Sequence, residues 1–302
     1  MRGYAVAAGF LCALSLNAAE RRVAFTFDDL PGLYFDNCDV NAFRQLNRKL
    51  VTAITRNGMP ALGLVNGSHL CEARRDQTKS LLKIWLDAGL QIGSHTYTHP
   101  DFNTTSLERF QADIIANEKY LPPRPLYFRF PFLRSGTELV KKRAIEDFLA
   151  KRGYTNAVVT IDNDEYIYAF VYARAVRRGD KALANRIADD YTRYMESAFA
   201  FYEQLSRDTF GYEIPQILLL HANSLNADHL DRLAHMAKRR GYRFISIDEA
   251  LRDPVYSRKE NYIGGRGLSH IQRWAMEEGK KPPMHGDVPP WVMDLYRADT
   301  RR

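Results

Sequence analysis

The 302-residue chain has only three cysteines, Cys12, Cys38 and Cys71. None of them falls in a zinc-finger spacing, and no basic-zipper pattern is present. There is no internal repeat of solenoid period and no low-complexity tract, which excludes a repeat array and a disordered linker. No apolar run is long enough to span a bilayer comfortably; the best, Tyr4 to Leu16, is too short. Charge of one sign is not concentrated either. Forty-three Lys and Arg against 36 Asp and Glu give a net charge of +7, but the basic residues are spread along the chain. Nucleic acid is therefore not an expected partner, and the mild positive charge favours an anionic cell-wall polymer or membrane surface. What remains is a globular composition, 45% hydrophobic and 12% aromatic, in a chain long enough to bury a large core.

Residues 1–19 read as an export signal: Arg2 supplies the positive start, Tyr4 to Leu16 the apolar run, and Ala18-Ala19 small residues for cleavage. The competing reading is an uncleaved anchor or a buried amino-terminal helix. Export places the protein in the periplasm or outside the cell, with no stable membrane span once the signal is removed. Cleavage also leaves Cys38 and Cys71 as an even pair in an oxidising compartment, which suggests a disulfide between them. Two unrelated buried thiols are the alternative.

From Arg22 onward, short apolar runs alternate with helical periodicity. Strands are expected at Arg22–Phe27, Ala61–Val65, Leu90–Ile92, Leu126–Phe130, Asn156–Ile161, Gln216–Leu220 and Arg243–Ile247. Helices are expected at Val40–Arg56, Asp76–Ala88, Ser106–Tyr120, Glu138–Lys151 and Asn226–Arg240. This alternation calls for an α/β fold with a parallel sheet and helical crossovers, closed or nearly closed into a barrel. The barrel domain is expected over 20–253. It includes a helical insertion, Tyr168–Arg207, whose aromatic stripe reads as packing and which is placed along one wall of the groove. A carboxy-terminal extension, 254–302, is expected to hold one helix, Ser269–Glu278, and Pro-rich turns, with Trp274 and Trp291 packed on the barrel.

Barrels of this kind carry their chemistry in the loops after the strands, and polar residues stand there in turn. Asp28-Asp29 follow the first strand, where one carboxylate can bind a cation while the other takes a proton. His95 and His99 follow the third, four residues apart as on one face of a helical turn. Two imidazoles and a carboxylate form a facial ligand set that leaves room for water. Arg129, Pro131 and Phe132 follow the fourth strand: an Arg that can hold a carboxylate, and a stiffened turn whose Phe132 N–H can face the site. An acidic cluster, Asp162, Asp164 and Glu165, with Tyr166, follows the fifth. His221 follows the sixth, placed to act as an acid. Each alone has an ordinary structural explanation, as a cap, a solvated turn or a core histidine. Their recurrence at five strand ends points to one site.

These residues resemble the signature of the polysaccharide deacetylases with the NodB homology domain, carbohydrate esterase family 4. The resemblance runs over residues 22–250 through Thr26-Phe27-Asp28-Asp29, His95-x-x-x-His99, Arg129-x-Pro131-Phe132, Asp162-x-x-Glu165-Tyr166 and Leu219-x-His221. Phe132 replaces a usual Tyr, and Glu165-Tyr166 replace a usual Asp-Trp. The resemblance implies a distorted (β/α)7 barrel and a metal-dependent hydrolase that takes acetyl groups from N-acetylated sugars of a polysaccharide or peptidoglycan. The alternatives are an O-acetyl glycan esterase of the same fold and a carbohydrate-binding pseudoenzyme. It implies that Asp29, His95 and His99 bind a divalent metal, zinc in the first instance, with cobalt, nickel or manganese as alternatives. Asp28 is then the general base, tuned by Arg129. Phe132, with Pro131 and Tyr166 beside it, would contact the substrate and its oxyanion, and His221 would be the general acid. The acid that orients His221 is Glu165, Asp164 or Asp162.

Overall fold

The structure, a computed structural model, describes residues 20–33, 39–123 and 127–300. The export signal and Cys38, and with it the expected Cys38–Cys71 bridge, lie outside the described residues.

Among the described residues, seven strands and ten α-helices follow one another in near-regular alternation. The first half runs β1 (Arg21–Leu30), α1 (Val40–Arg56), β2 (Leu62–Val65), α2 (Thr78–Asp87), β3 (Gln91–Ser94), α3 (Leu107–Glu118), β4 (Tyr127–Phe128), α4 (Leu139–Lys151) and β5 (Thr155–Asn156). Two insertion helices, α5 (Glu165–Arg177) and α6 (Lys181–Phe210), precede β6 (Gln216–His221), α7 (Ser224–Arg239) and β7 (Tyr242–Phe244). Short α8 (Ile247–Ala250), then α9 (His270–Glu277) and α10 (Pro290–Thr300), complete the chain.

Every strand pair is parallel, in the order β5-β4-β3-β2-β1-β6, with β7 paired to the start of β1. The segment after β5 crosses to the other edge. Ala157 N–H donates to Phe128 O at 2.7 Å, while Ile161 bridges Leu218 of β6. The sheet thereby curls into the distorted barrel that the alternation of elements requires. β1 lies at its centre and is buried from Val23 to Leu30, as a parallel strand covered on both faces must be. Helix α1 shows why the boundaries were legible. Phe43, Leu46, Leu50, Val51 and Ile54 make one buried stripe, Asp39 caps the start by accepting from Asn41 N–H, and Asn57-Gly58 turns the chain out with Gly58 at φ 67°.

Four expectations need correction. The fourth and fifth ladders are short, two residues each, because Arg129 and Ile161 leave β4 and β5 to serve the site and the far edge. The seventh strand stops at Phe244: Ser246 accepts from Glu249 N–H and starts α8, which takes Ile247 out of the sheet. The insertion is two helices, broken at Gly179. Its aromatics Tyr168, Tyr191, Phe199 and Tyr202 are buried, and no residue of 168–207 lines the site cleft among the described residues. The aromatic stripe of the insertion is packing. In the extension, α10 replaces the expected turns, with Pro290 in the helix's first position, where no N–H is needed. Trp274 is fully buried and Trp291 packs on the core from its edge. No helix among the described residues is long and apolar enough to cross a membrane.

β3 and β4 approach so closely that a Cβ on Gly93 would lie 2.6 Å from the Tyr127 carbonyl oxygen. Backbone cannot rotate away as a side chain can. Gly93→Ala is expected to cost about 1–3 kcal/mol, read as a lower urea midpoint at unchanged m-value. An unshifted midpoint would contradict this strand contact.

Candidate active site

The five strand ends meet in one cleft of about 520 Å³, lined among others by Asp28, Asp29, His95, His99, Phe132, Asp162, Asp164, Tyr166 and His221. Arg129 and Glu165 stand directly behind it, almost fully buried.

Consecutive residues of a strand point to opposite faces, so Asp28 and Asp29 should not share a cleft. They do because the β1–β2 register shifts between Phe27 and Leu30, and Asp29 sits in the left-handed region at φ 64°. This irregularity re-aims one side chain, as bulges beside active sites do. The histidine pair departs from expectation in the same way. Residues 95–100 are not a helical turn. Thr96 and His99 both have positive φ (69° and 58°), and Asp113 of α3 holds the loop open by accepting from the N–H groups of Tyr97 and Thr98 at 2.7 and 3.0 Å. The imidazoles converge through backbone strain, not helical spacing.

One atom of each of Asp29, His95 and His99 lies within 4.8 Å of the others. Asp29 Oδ1 is 3.9 Å from His95 Nε2 and 3.8 Å from His99 Nε2. Donors about 2.1 Å from a common tetrahedral centre would stand roughly 3.4 Å apart, so a slight contraction accommodates a cation. Asp29 Oδ1 is buried with no hydrogen-bond partner, a costly state unless a cation compensates it. Its carboxyl is held down at about 2: burial pushes it up, but His69, His99, His221 and His95 together outweigh burial. His99 is pushed down to about 4, chiefly by burial, so it is neutral and has a free lone pair near neutral pH. His95 Nδ1 faces the Arg129 carbonyl at 2.9 Å. A carbonyl only accepts, so Nδ1 donates and Nε2 is the nitrogen that faces the site. This backbone partner fixes the tautomer as metal-bound histidines require. The donor set, two nitrogens and one oxygen, fits a divalent metal.

Beside it, Arg129 Nη1 donates to Asp28 Oδ1 at 2.6 Å and to Thr26 Oγ1 at 2.9 Å, while Nε donates to the Ala157 carbonyl at 2.8 Å. Asp28 is thus held by one oxygen, and its other, Oδ2, is 3.5 Å from His95 Nε2. Phe132 closes the opposite side. It adopts φ 57° and Leu133 φ 53°. Left-handed residues of this type cost on the order of 1 kcal/mol or more each and persist where surroundings over-determine them. The Phe132 ring stands edge-on to His99, with centroids 4.5 Å apart.

Among the three acids of the fourth motif, Glu165 partners His221. Its Oε2 accepts from His221 Nδ1 at 2.8 Å, and its Oε1 accepts from Asn226 Nδ2 at 2.7 Å and from Asn223 Nδ2. The extra methylene of Glu is what lets it reach from the first turn of α5. Asp162 and Asp164 line the cleft instead. Burial and the neighbouring Asp164 push Asp162 up to about 7. His221 is raised to about 9: burial opposes the charge, and the Glu165 hydrogen bond and charge overcome it. Tyr166 lines the cleft, its ring 6.4 Å from His221. Pro131 is buried behind the Phe132 turn.

Several site residues escaped the sequence. His69 lines the cleft and its Nδ1 donates to Asp29 O at 3.3 Å; it follows β2, a position where a lone histidine gives no signal. Asn223 and Asn226 had a faint one, since Asn two residues after a strand is a helix cap, and Asn223 caps α7 by accepting from Asn226 N–H. Arg134 and Gly267 also line the cleft.

The chain is similar in part to known proteins. Residues 15–154 match the family model described as polysaccharide deacetylase, so this part of the chain bears that family's sequence pattern. The match takes in Asp28, Asp29, His95, His99, Arg129 and Phe132; Glu165 and His221 lie beyond it. Similar solved structures include a family 4 carbohydrate esterase from Streptomyces lividans, 22% identical, covering 76% of this chain and 95% of that one, with a TM-score of 0.44. A chitin deacetylase from Colletotrichum lindemuthianum is 20% identical over 77% of this chain and 88% of that one, TM-score 0.46. A family 4 pseudoenzyme from Bacillus anthracis is 17% identical over 77% of this chain and 66% of that one, TM-score 0.47. Among curated proteins, none matches.

The His221–Glu165 pair makes a prediction that a ring titration checks. The folded pKa of about 9 exceeds the ordinary 6.5, so the pair's stabilisation, roughly 3 kcal/mol, is full below pH 6.5 and is lost as pH rises through 9. In metal-free protein the His221 ring should titrate near 9 by NMR and fall by more than one pH unit in Glu165→Gln. An unmoved titration in that variant would contradict the pairing.

Proposed function

We propose that this chain is an exported, metal-dependent hydrolase that removes acetyl groups from N-acetylated sugars of a polysaccharide or peptidoglycan. The observation that carries this reading is the partnerless buried Asp29 Oδ1 facing His95 and His99, in one cleft with Asp28 on Arg129 and His221 on Glu165. The family match of residues 15–154 supports the same chemistry. The export half rests on Arg2 and the apolar run from Tyr4 to Leu16.

Amide hydrolysis needs an activated water, a stabilised oxyanion and a protonated leaving amine. When bound at Asp29, His95 and His99, a divalent cation supplies a Lewis acid for the acetyl carbonyl and an acidified water. Asp28 accepts the water's proton; Arg129 fixes its orientation and leaves Oδ2 on the cleft side. The Phe132 N–H donates to the oxyanion. His221 enters the cycle as the imidazolium, held in that state by Glu165, and delivers its proton to the leaving nitrogen. Leu133 and Leu219 line the cleft and give an apolar wall for the acetyl methyl. An imidazolium at this position can supply the proton that a leaving amine requires.

Acetate release from a panel of chito-oligosaccharides, peptidoglycan and acetylxylan checks the reading. Release is expected from the N-acetylated members and should vanish with chelator. Asp28→Asn and His221→Ala should each lower kcat about 10²- to 10⁴-fold with the fold retained by circular dichroism. Wild-type rates in both variants would refute the roles, and release from acetylxylan alone would move the substrate to O-acetyl glycans. A protein that binds glycan but neither metal nor turns it over would be a binding module. For the export half, fractionation of cells expressing the full chain should find it outside the cytosol; complete cytosolic recovery would contradict export.

A further inference from the structure

The carboxy-terminal extension places buried charge where a packing segment would have none. Arg273 of α9 is 2% exposed and Lys142 of α4 is fully buried, and both reach Glu260 Oε2, at 3.3 and 2.7 Å. The other donors of Arg273 are directed at a short stretch of backbone and its neighbours. Nε donates to the Leu268 carbonyl at 3.0 Å, Nη1 to Ser135 Oγ at 3.2 Å, and Nη2 to the Leu133 carbonyl. On the adjoining peptide, Gly267 packs flat against the same turn. A Cβ there would stand 1.9 Å from the Phe132 carbonyl oxygen and 3.2 Å from Leu133 Cβ. A third tie lies just beyond: Asn103 donates to the Gly264 carbonyl at 3.1 Å and accepts from Gly136 N–H at 3.1 Å. Thus the carbonyls of Phe132 and Leu133, the two consecutive left-handed residues, are both met by the extension.

We infer that the extension is a clamp on the Phe132–Leu133 turn, with Gly267 and Arg273 as positioning residues that hold the Phe132 amide for the oxyanion. This rests on the deacetylase reading above and adds to it that the active site is completed by residues more than 130 positions downstream of the motif they serve. The physical logic is that strained backbone relaxes unless its surroundings forbid it. A left-handed pair of a phenylalanine and a leucine has no glycine to ease it, and the buried guanidinium and the missing Cβ close off the relaxed alternatives. Because an oxyanion donor acts in the transition state and hardly in substrate binding, loosening the clamp should affect kcat and spare KM.

The test compares Gly267→Ala, Arg273→Lys and Arg273→Gln with Gly265→Ala as control, since a Cβ on Gly265 meets nothing within 4 Å. Gly267→Ala should lower kcat about 10- to 100-fold with KM within about twofold and metal content unchanged, and its crystal structure should show the turn displaced from the left-handed region. Arg273→Lys, which keeps the charge beside Glu260, should retain more kcat than Arg273→Gln, and Gly265→Ala should match wild type. If Gly267→Ala does not fold, the kcat-against-KM split of Arg273→Lys decides. Folded variants with wild-type kcat, or losses shared equally by KM and metal content, overturn the clamp. If wild type releases no acetate from any glycan, the deacetylase reading fails by itself. The clamp is then judged by the crystal structure, where an undisturbed turn in Gly267→Ala overturns it.

Discussion

A buried guanidinium holds the site together. Arg129 leaves the end of β4 and is almost wholly enclosed, a position tolerable for a charge only when it is paired and fully hydrogen-bonded. It satisfies that demand by reaching across the barrel mouth to Asp28 and Thr26 on β1 and to the Ala157 carbonyl beyond β5. Its own carbonyl accepts the hydrogen bond from His95 Nδ1. One residue therefore orients the carboxylate assigned as base and one of the imidazoles assigned to the metal. The desolvation that burial imposes on Arg129 pushes its proton affinity down, and Asp28 opposes that shift. The two charges each make the other's burial possible.

Around this pair, identical side chains are driven to opposite protonation states. His99 is pushed down by burial and His221 up by Glu165, so one imidazole is a neutral donor of a lone pair and the other a reservoir of a proton. Asp29 is held low by four histidines, while Asp162 is pushed up to about 7 by burial and the neighbouring Asp164. Opposed shifts among like groups are how one cleft runs acid and base chemistry at a single pH. Asp162 also faces the cleft, so a carboxyl that titrates near neutrality lies beside the site without being the orienting acid.

The backbone adds a third constraint. All the non-glycine residues with positive φ among the described ones, Asp29, Thr96, His99, Phe132 and Leu133, belong to the cleft or its loops. Regular strands and turns would send Asp28 and Asp29 to opposite faces and spread His95 and His99. Four of the five lie in turns met from elsewhere in the fold: Asp113 holds the histidine loop from α3, and Arg273 and Gly267 meet the Phe132 turn from the extension. Strain at the site is balanced by packing outside it.

What could be read from the sequence was whatever depends on local periodicity or on residue type. The buried stripe of α1, the apolar runs of β1, β2 and β6, and the placing of polar residues at strand ends follow from one-dimensional spacing, because side-chain direction in regular structure is fixed by position alone. The residue types that could ligate a metal were legible for the same reason. Where the chain departs from regularity, spacing misleads: His95 and His99 do not lie on a helical turn, Ile247 opens α8 after the Ser246 cap instead of ending a strand, and β4 and β5 pair over only two residues each. Glu165 could not be separated from Asp162 and Asp164, since all three are acids in one loop and only the reach of α5 toward Asn223, Asn226 and His221 selects among them. The sequence by itself determined the alternating α/β order and the chemical kinds gathered at the strand ends. Tertiary structure alone decided which carboxylate meets which imidazole, and that Arg273 and Gly267 come to bear on Phe132 and Leu133, because those contacts join segments far apart in the chain and depend on backbone angles that no local pattern encodes.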